Sequence, residues 1–280
     1  MDNRSLKDRR VLVAGASAGI GRALAVHAVR DGARVLLAAR RRDRLEQACR
    51  EAGGGDPVVA DLCRPQDCDR LAAQAGERLG EIDVLVCCIG IAPLRMLADT
   101  TGEDWVRVLE TNVVGVHRLL RACLPVLAPG GMVMVLSSES IGQPRTGLGA
   151  YATSKAALER LVEGWRTERP GVRFTTVRVG ATFPTDFGND FEPRLLERVL
   201  DDWSARGLAQ RDFMAPGEVA EVLAGVIAAS AGHPGIGLDH LTLRSPSPVV
   251  GTFDDALGLP SADSAPPADA ATPEQGAVHG

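Results

Sequence analysis

Lysine and tyrosine are nearly absent from this 280-residue chain: two lysines stand among 31 basic residues, and there is one tyrosine. Long apolar runs are missing as well. None approaches the roughly 18 residues of a membrane span, and the first ten residues are too polar to open a secretory signal. The six cysteines form no C-x-x-C pair and have no histidine partners at zinc spacing, which points away from a metal site and toward buried, reduced thiols. The expectation is a cytoplasmic protein without a membrane partner. A nucleic-acid footprint is also lacking. Five acids (Asp254, Asp255, Asp263, Asp269 and Glu274) lie beyond Arg244, the last basic residue, so residues 1–244 balance 31 acids against 31 bases and the net charge of -5 resides in the tail.

What remains is an ordinary globular composition, 45% hydrophobic and 24% charged, which excludes collagen-like, coiled-coil and globally disordered chains. Short runs rich in Val and Leu recur at Val11–Ala14, Arg34–Ala39, Pro57–Ala60, Asp83–Ile89, Met132–Leu136, Val172–Val179 and Leu238–Leu243. Each is too short for a globular helix and fits a strand buried on both faces. Longer helical segments lie between them: Gly19–Asp31, Arg41–Glu51, Pro65–Leu79, Glu103–Leu127, Gly149–Arg169 and Gly217–Ala229. Strands alternating with helices mean βαβ crossovers, hence an α/β domain with a parallel seven-stranded sheet covered on both sides. From Ser245 the composition turns to Pro, Ala, Asp and Gly without Lys or Arg. We expect residues 1–250 to form one domain and residues 251–280 a disordered acidic tail.

Directly after the first strand comes Gly15-Ala16-Ser17-Ala18-Gly19-Ile20-Gly21, opening a helix. Glycines there permit a tight turn and let backbone N–H groups approach a pyrophosphate at the positive end of the helix. An ordinary strand-to-helix loop is the bland alternative, and the strand before and after favours the phosphate reading. The second strand ends at Ala39, where an NAD-binding chain usually carries an acid for the ribose 2'-hydroxyl. Arg40, Arg41 and Arg42 follow. Guanidinium groups in place of a carboxylate suit a 2'-phosphate, with Arg40 expected to lead and Arg41 to assist, so NADP(H) is favoured over NAD(H).

Tyr151 and Lys155 lie four apart on a predicted helix. A phenol pKa of about 10 is poorly matched to acid/base work near neutrality. An ammonium about 4 Å away, at an effective dielectric near 20, supplies roughly 4 kcal/mol, about three pK units. A surface helix pair is the competing reading. Ser138, thirteen residues earlier, ends a strand and faces the crevice where open α/β sheets bind ligands.

Taken in order, Gly15-x3-Gly19-x-Gly21, Asp61-Leu62, Gly90, Asn112, Ser138, Tyr151-x3-Lys155 and Val179-Gly180 resemble the short-chain dehydrogenase/reductase family over about residues 8–245. The resemblance implies a Rossmann-type fold in which Tyr151 is the general acid in ketone reduction and the base in alcohol oxidation. It implies that Lys155 lowers the phenol's pKa and holds the nicotinamide ribose, that Ser138 binds the substrate oxygen, and that Asn112 positions a water in a proton relay. Asp61 and Leu62 would flank the adenine. Gly90, Gly180 and Thr182 would border the cofactor. A homodimer or homotetramer through the helices from Glu103 and Gly149 is also implied. The sequence departs from the family at Ala14, at Cys87-Cys88, which replace an Asn pair, at Val179, which replaces Pro, and at Arg244-Ser245-Pro246, which replace paired glycines.

Half of the ten aromatic residues, Phe183, Phe187, Phe191, Trp203 and Phe213, fall between positions 183 and 213. Phe191, Leu195, Leu196, Val199, Leu200 and Trp203 keep helical spacing. This stretch, within a substrate loop of about 181–214, reads either as a helix packing on the core or as a lid over an apolar pocket, with Phe183 and Phe187 touching a carbonyl or alcohol substrate. Two further readings compete with an oxidoreductase: a non-catalytic NADP-sensing regulator on the same fold, and an S-adenosylmethionine-type nucleotide binder, in which the Arg cluster and the Tyr151–Lys155 pair have no role. Truncation after Val250 is expected to leave the melting temperature nearly unchanged. A drop of more than about 5 °C, roughly 1 kcal/mol or more at this size, would show that the tail packs on the core.

Overall fold

A computed structural model describes residues 5–247, so the acidic tail lies outside the described residues. Seven parallel strands form one sheet: β1 (Arg10–Ala14), β2 (Arg34–Ala39), β3 (Asp56–Val59), β4 (Ile82–Cys87), β5 (Leu127–Ser138), β6 (Arg173–Val179) and β7 (His240–Leu243), in the order β3-β2-β1-β4-β5-β6-β7. The order reverses between β1 and β4, and the crevice at that switch point is where an open α/β sheet takes a ligand.

Helices α1 (Gly19–Arg30), α2 (Arg42–Ala52), α3 (Pro65–Leu79), α4 (Gly102–Leu109), α5 (Gly115–Cys123), α6 (Gly149–Glu168), α7 (Pro193–Ala205) and α8 (Pro216–Gly232) complete the fold. The period-2 alternation of the strands divides the core into two layers. Val11, Val13, Val35, Leu37, Val84 and Val86 face α1, α2 and α8. Leu12, Leu36, Leu85, Val133 and Val135 face α3, α5 and α6. Alanines at 25 and 28 on α1 and at 220, 224 and 228 on α8 are all buried in the first layer, and small side chains allow the two helices to pack closely.

Sequence and structure disagree most in the segment expected as one helix over 103–127. It is α4, then a π-helical turn over Glu110–Val114, then α5, then a 3-10 turn over Leu124–Val126. Threonine and valine at 111, 113 and 114 keep the apolar spacing of a helix, so periodicity alone does not reveal the wider turn. Met132–Leu136 is likewise only the buried centre of a longer β5.

Leu85 is fully buried in β4, the middle strand of the sheet. Leu85→Ala is expected to lower the unfolding free energy by about 2–5 kcal/mol. Val106→Ala, at a side chain 68% exposed on α4, should change it by no more than about 0.5 kcal/mol. Urea unfolding of the two variants checks the contrast, and similar losses would contradict the placement of the core.

Candidate active site

The carboxyl ends of six strands, β1 to β6, border the site. At the end of β1, Gly15 and Gly19 take positive φ values of +92° and +53°. A Cβ on Gly21 would stand 2.5 Å from the Gly15 carbonyl oxygen, so the turn closes on itself with no room for a side chain. The N–H groups of Gly15 and Ala16 donate to the Ala38 carbonyl at 2.8 and 3.1 Å, hanging the turn on the end of β2. No side chain caps α1, and its first turn holds no acid. The N–H groups of Gly19, Ile20 and Gly21 therefore face the crevice as unspent donors. Ser17 is buried, and its hydroxyl accepts a 3.0 Å hydrogen bond from the Arg41 guanidinium. Arg40 and Arg41 are both exposed, and of the two it is Arg41 whose guanidinium bonds to the turn, against the expectation that Arg40 leads.

At the end of β4, Gly90 lies beside Lys155, and a Cβ there would be 3.1 Å from the lysine Nζ. Asn112, in the π turn, is fully buried. Its Oδ1 accepts from the Ile91 N–H at 2.8 Å, while Nδ2 donates to the Ile91 carbonyl and to Ser154 Oγ, both at 2.9 Å. Ser154 in turn donates to the Tyr151 carbonyl at 2.7 Å. Asp61 and Leu62 follow β3. Asp61 accepts from the Cys63 N–H at 3.0 Å, and Leu62 is buried. Cys87 and Cys88, at the family's Asn pair, are thiols whose burial pushes Cys88 up to about 12 and raises Cys87 as well.

At the end of β5, Ser138 Oγ accepts from both the N–H and the hydroxyl of Ser140, at 3.2 and 2.9 Å. Its own proton is thereby left for another acceptor. Tyr151 and Lys155, on α6, are both buried. Lys155 Nζ donates to the carbonyls of Ile89 at 3.1 Å and Leu136 at 2.9 Å and stands 5.9 Å from the centre of the Tyr151 ring. The expected lowering of the phenol by a near ammonium is therefore not what the geometry produces. Burial pushes Tyr151 up to about 12, against weaker opposite pulls from the Ser138 hydroxyl and the Arg145 charge. Burial also brings Lys155 down to about 8, partly offset by Cys88, Cys87 and Glu159. Two carbonyl acceptors draw the ammonium away from the ring, and desolvation of the phenol outweighs what is left.

At the end of β6, the Gly180 N–H donates to Leu243 at 2.8 Å, and Thr182 Oγ1 donates to the Gly180 carbonyl at 3.0 Å. The chain then crosses the crevice. The Phe187 ring meets Tyr151 edge-on at 5.2 Å and Phe191 at 5.7 Å, whereas Phe183 lies outside against Phe213 and is 65% exposed. Leu94, Leu148, Tyr151 and Val199 form a small third core, with Phe191, Leu195, Leu196 and Trp203 against it. The apolar face of α7 thus packs on the core around Tyr151.

The family model described as short chain dehydrogenase matches residues 9–195. The chain belongs to this family of oxidoreductases. A relative, the glycine betaine reductase ATRR of Emericella nidulans, is 36% identical over 216 residues, which are 74% of this chain but only 17% of that protein. The alcohol dehydrogenase of the archaeon Thermococcus sibiricus, solved as a complex with 5-hydroxy-NADP, superposes with a TM-score of 0.73 at 27% identity, covering 85% of this chain and 97% of that one. A short chain dehydrogenase from Burkholderia cenocepacia J2315 in complex with NADP has the same TM-score at 25% identity, covering 88% and 98%. Both dehydrogenase structures confirm the doubly wound fold expected from the strand pattern. Among the described residues, no helix is long and apolar enough to cross a membrane.

Sequence reasoning within the short chain dehydrogenase pattern missed Ser140, Ser154 and the nearly buried Glu139–Arg145 ion pair, 2.5 Å long, in which Arg145 also donates to the Leu208 carbonyl at 3.1 Å. Their role lies in long-range contacts that no local spacing announces.

Lys155 has a folded value near 8 against an ordinary 10.5. Between those limits the unfolded chain binds more protons, so stability rises with pH. Measured against Lys155→Met, which keeps Tyr151 in both proteins, wild type should gain on the order of 3 kcal/mol from pH 8 to 10.5. Urea unfolding at pH 7.5 and 10 checks this, and a difference that fails to move would mean the ammonium is not desolvated.

Proposed function

We propose that the protein is an NADP-dependent oxidoreductase that interconverts a ketone and a secondary alcohol on an apolar small molecule, with Tyr151 as general acid/base. The observation that carries this reading is the convergence of Ser138, Tyr151 and Lys155 at the carboxyl end of β5, under the Phe187 ring. A dinucleotide suits the cradle on this chain's own terms: unspent N–H groups at the start of α1, a turn in which a Cβ on Gly21 has no space, and Gly90 leaving open the approach to Lys155. Arg41, just past the end of β2, and Ser17, in the turn after β1, suit a 2'-phosphate, and Ala39 stands where an acid for the ribose 2'-hydroxyl would be. The NADP complexes of the two solved relatives support the same choice.

A bound nicotinamide supplies or accepts the hydride. The protein's share is the proton and the positioning. Held near 12, the Tyr151 phenol keeps its proton at neutral pH, the form needed to protonate a carbonyl oxygen in the reductive direction. Ser138, with its lone pairs occupied by Ser140, directs its O–H at that same oxygen. An ammonium has three donors. Two of those on Lys155 are spent on Ile89 and Leu136, and the third is free for a ribose hydroxyl. Both Nδ2 hydrogens and the Oδ1 of Asn112 are engaged by Ile91 and Ser154, so a proton relay past this residue would use its backbone carbonyl. Phe187 and Phe191 give the substrate an apolar wall, whereas Phe183, against Phe213 and exposed, does not reach it.

Tyr151→Phe keeps the ring and its packing against Phe187. NADPH affinity should survive while turnover on a panel of ketones and aldehydes falls by about 10² or more. NADPH fluorescence alongside turnover tests both parts. Undiminished turnover in the variant would refute the mechanism, and absence of turnover in wild type on any carbonyl would favour a non-catalytic NADP-sensing regulator.

A further inference from the structure

Building on the NADP reading, we propose that Asp186 is the protein's own competitor for the 2'-phosphate site, holding the substrate loop across the crevice until a 2'-phosphorylated nucleotide takes Arg41 from it. Arg41 Nη2 makes two contacts: a hydrogen bond to Ser17 Oγ at 3.0 Å and an ion pair with Asp186 Oδ2 at 2.7 Å. Residue 186 belongs to the substrate loop, so one guanidinium joins the phosphate turn, the start of α2 and the loop that covers the catalytic phenol.

The loop is shaped for this. Thr185 Oγ1 accepts from the Phe187 N–H at 3.3 Å and opens a 3-10 turn over Asp186–Gly188. The side chain of Thr185 lies over Gly19, 3.5 Å from where a Cβ would be. Asn189 donates to Asp186 Oδ1 at 3.4 Å, which leaves Oδ2 for Arg41. One residue along, Phe187 sits against Tyr151. A single turn thus rests on the phosphate cradle at one end and on the catalytic side chain at the other.

Carboxylate and phosphate are the two groups that a guanidinium fork matches. Arg41 and Asp186 remain 44% and 40% exposed, and a solvated pair of this kind is weak. A phosphate carrying close to two charges at neutral pH displaces it. A nucleotide without the 2'-phosphate leaves the pair intact and the loop down. Asp186 therefore contributes to cofactor choice and couples it to access to Tyr151.

The test uses nucleotide fragments that cannot react. Calorimetry would compare 2',5'-ADP with 5'-AMP on wild type and on Asp186→Asn, which keeps the shape of the side chain. We expect 2',5'-ADP to bind the variant roughly fivefold tighter than wild type, with 5'-AMP unchanged. Hydrogen exchange of the amides of residues 185–191 should quicken in wild type on adding 2',5'-ADP but not 5'-AMP, and should be fast in the variant from the start. If wild type prefers 2',5'-ADP and the variant shows the same affinity and the same exchange, the competition is disproved while the NADP reading stands. If wild type shows no preference for 2',5'-ADP, both fall together.

Discussion

The ammonium of Lys155 joins the ends of β4 and β5 to the middle of α6, and the geometry of the site follows from it. Its acceptors are Ile89, two residues beyond β4, and Leu136, in β5 just past the last residue paired with β4; carbonyls left without a ladder partner there need another. Burying a cation there is costly, as the fall in its pKa records. Two hydrogen bonds to carbonyls offset part of that cost. Tyr151 stands one turn earlier on the same helix, so fixing Nζ also fixes the phenol. Asn112 repeats the device one loop away, clamping both backbone groups of Ile91 and reaching α6 through Ser154.

The floor and the cover of the site are built differently. Below lies a sheet buried between two large apolar layers. Above, α7 and its loop rest on a core of a few side chains, Leu94, Leu148, Tyr151 and Val199. Polar straps do the remaining work: Arg145 to the Leu208 carbonyl, Trp203 Nε1 to the Thr146 carbonyl at 3.0 Å, and Asp186 to Arg41. Apolar area is scarce in the cover, and segments of that kind open at lower free energy than the body of a domain. A rigid base under a loosely held cover suits an enzyme that must admit both a nucleotide and a substrate.

Much of this was legible in the residues because two of its signals are local. Parallel strands read as short continuous apolar runs, and β2 coincides with the run Arg34–Ala39 at both ends. Glycines at 15, 19 and 21 and the rare pair Tyr151 and Lys155 stood out against an arginine-rich chain poor in aromatics. The direction of the phenol's shift did not, since spacing on a helix says that two residues are neighbours and nothing about what else the ammonium can bind. Ile89 and Leu136 are 66 and 19 residues away from Lys155 in the chain. Arg41 and Asp186 are farther apart still, and only the folded crossing of two loops brings them together. Arg40 and Arg41 look alike as letters and both are exposed, yet of the two it is Arg41 that bonds to Ser17.

The π turn over Glu110–Val114 has a consequence for how this segment can change. Such a turn is a helix that has absorbed one residue too many, and each residue is worth about 100° of rotation. α5 cannot turn, because Val116, Leu119, Leu120 and Cys123 are locked against the sheet. Losing one residue here would restore regular helix by swinging Asn112 away from Ile91, and gaining one would do comparable harm. Length in this stretch is thus constrained more tightly than side-chain identity, so a chain drifting by substitution would keep its site where one drifting by insertion and deletion would lose it.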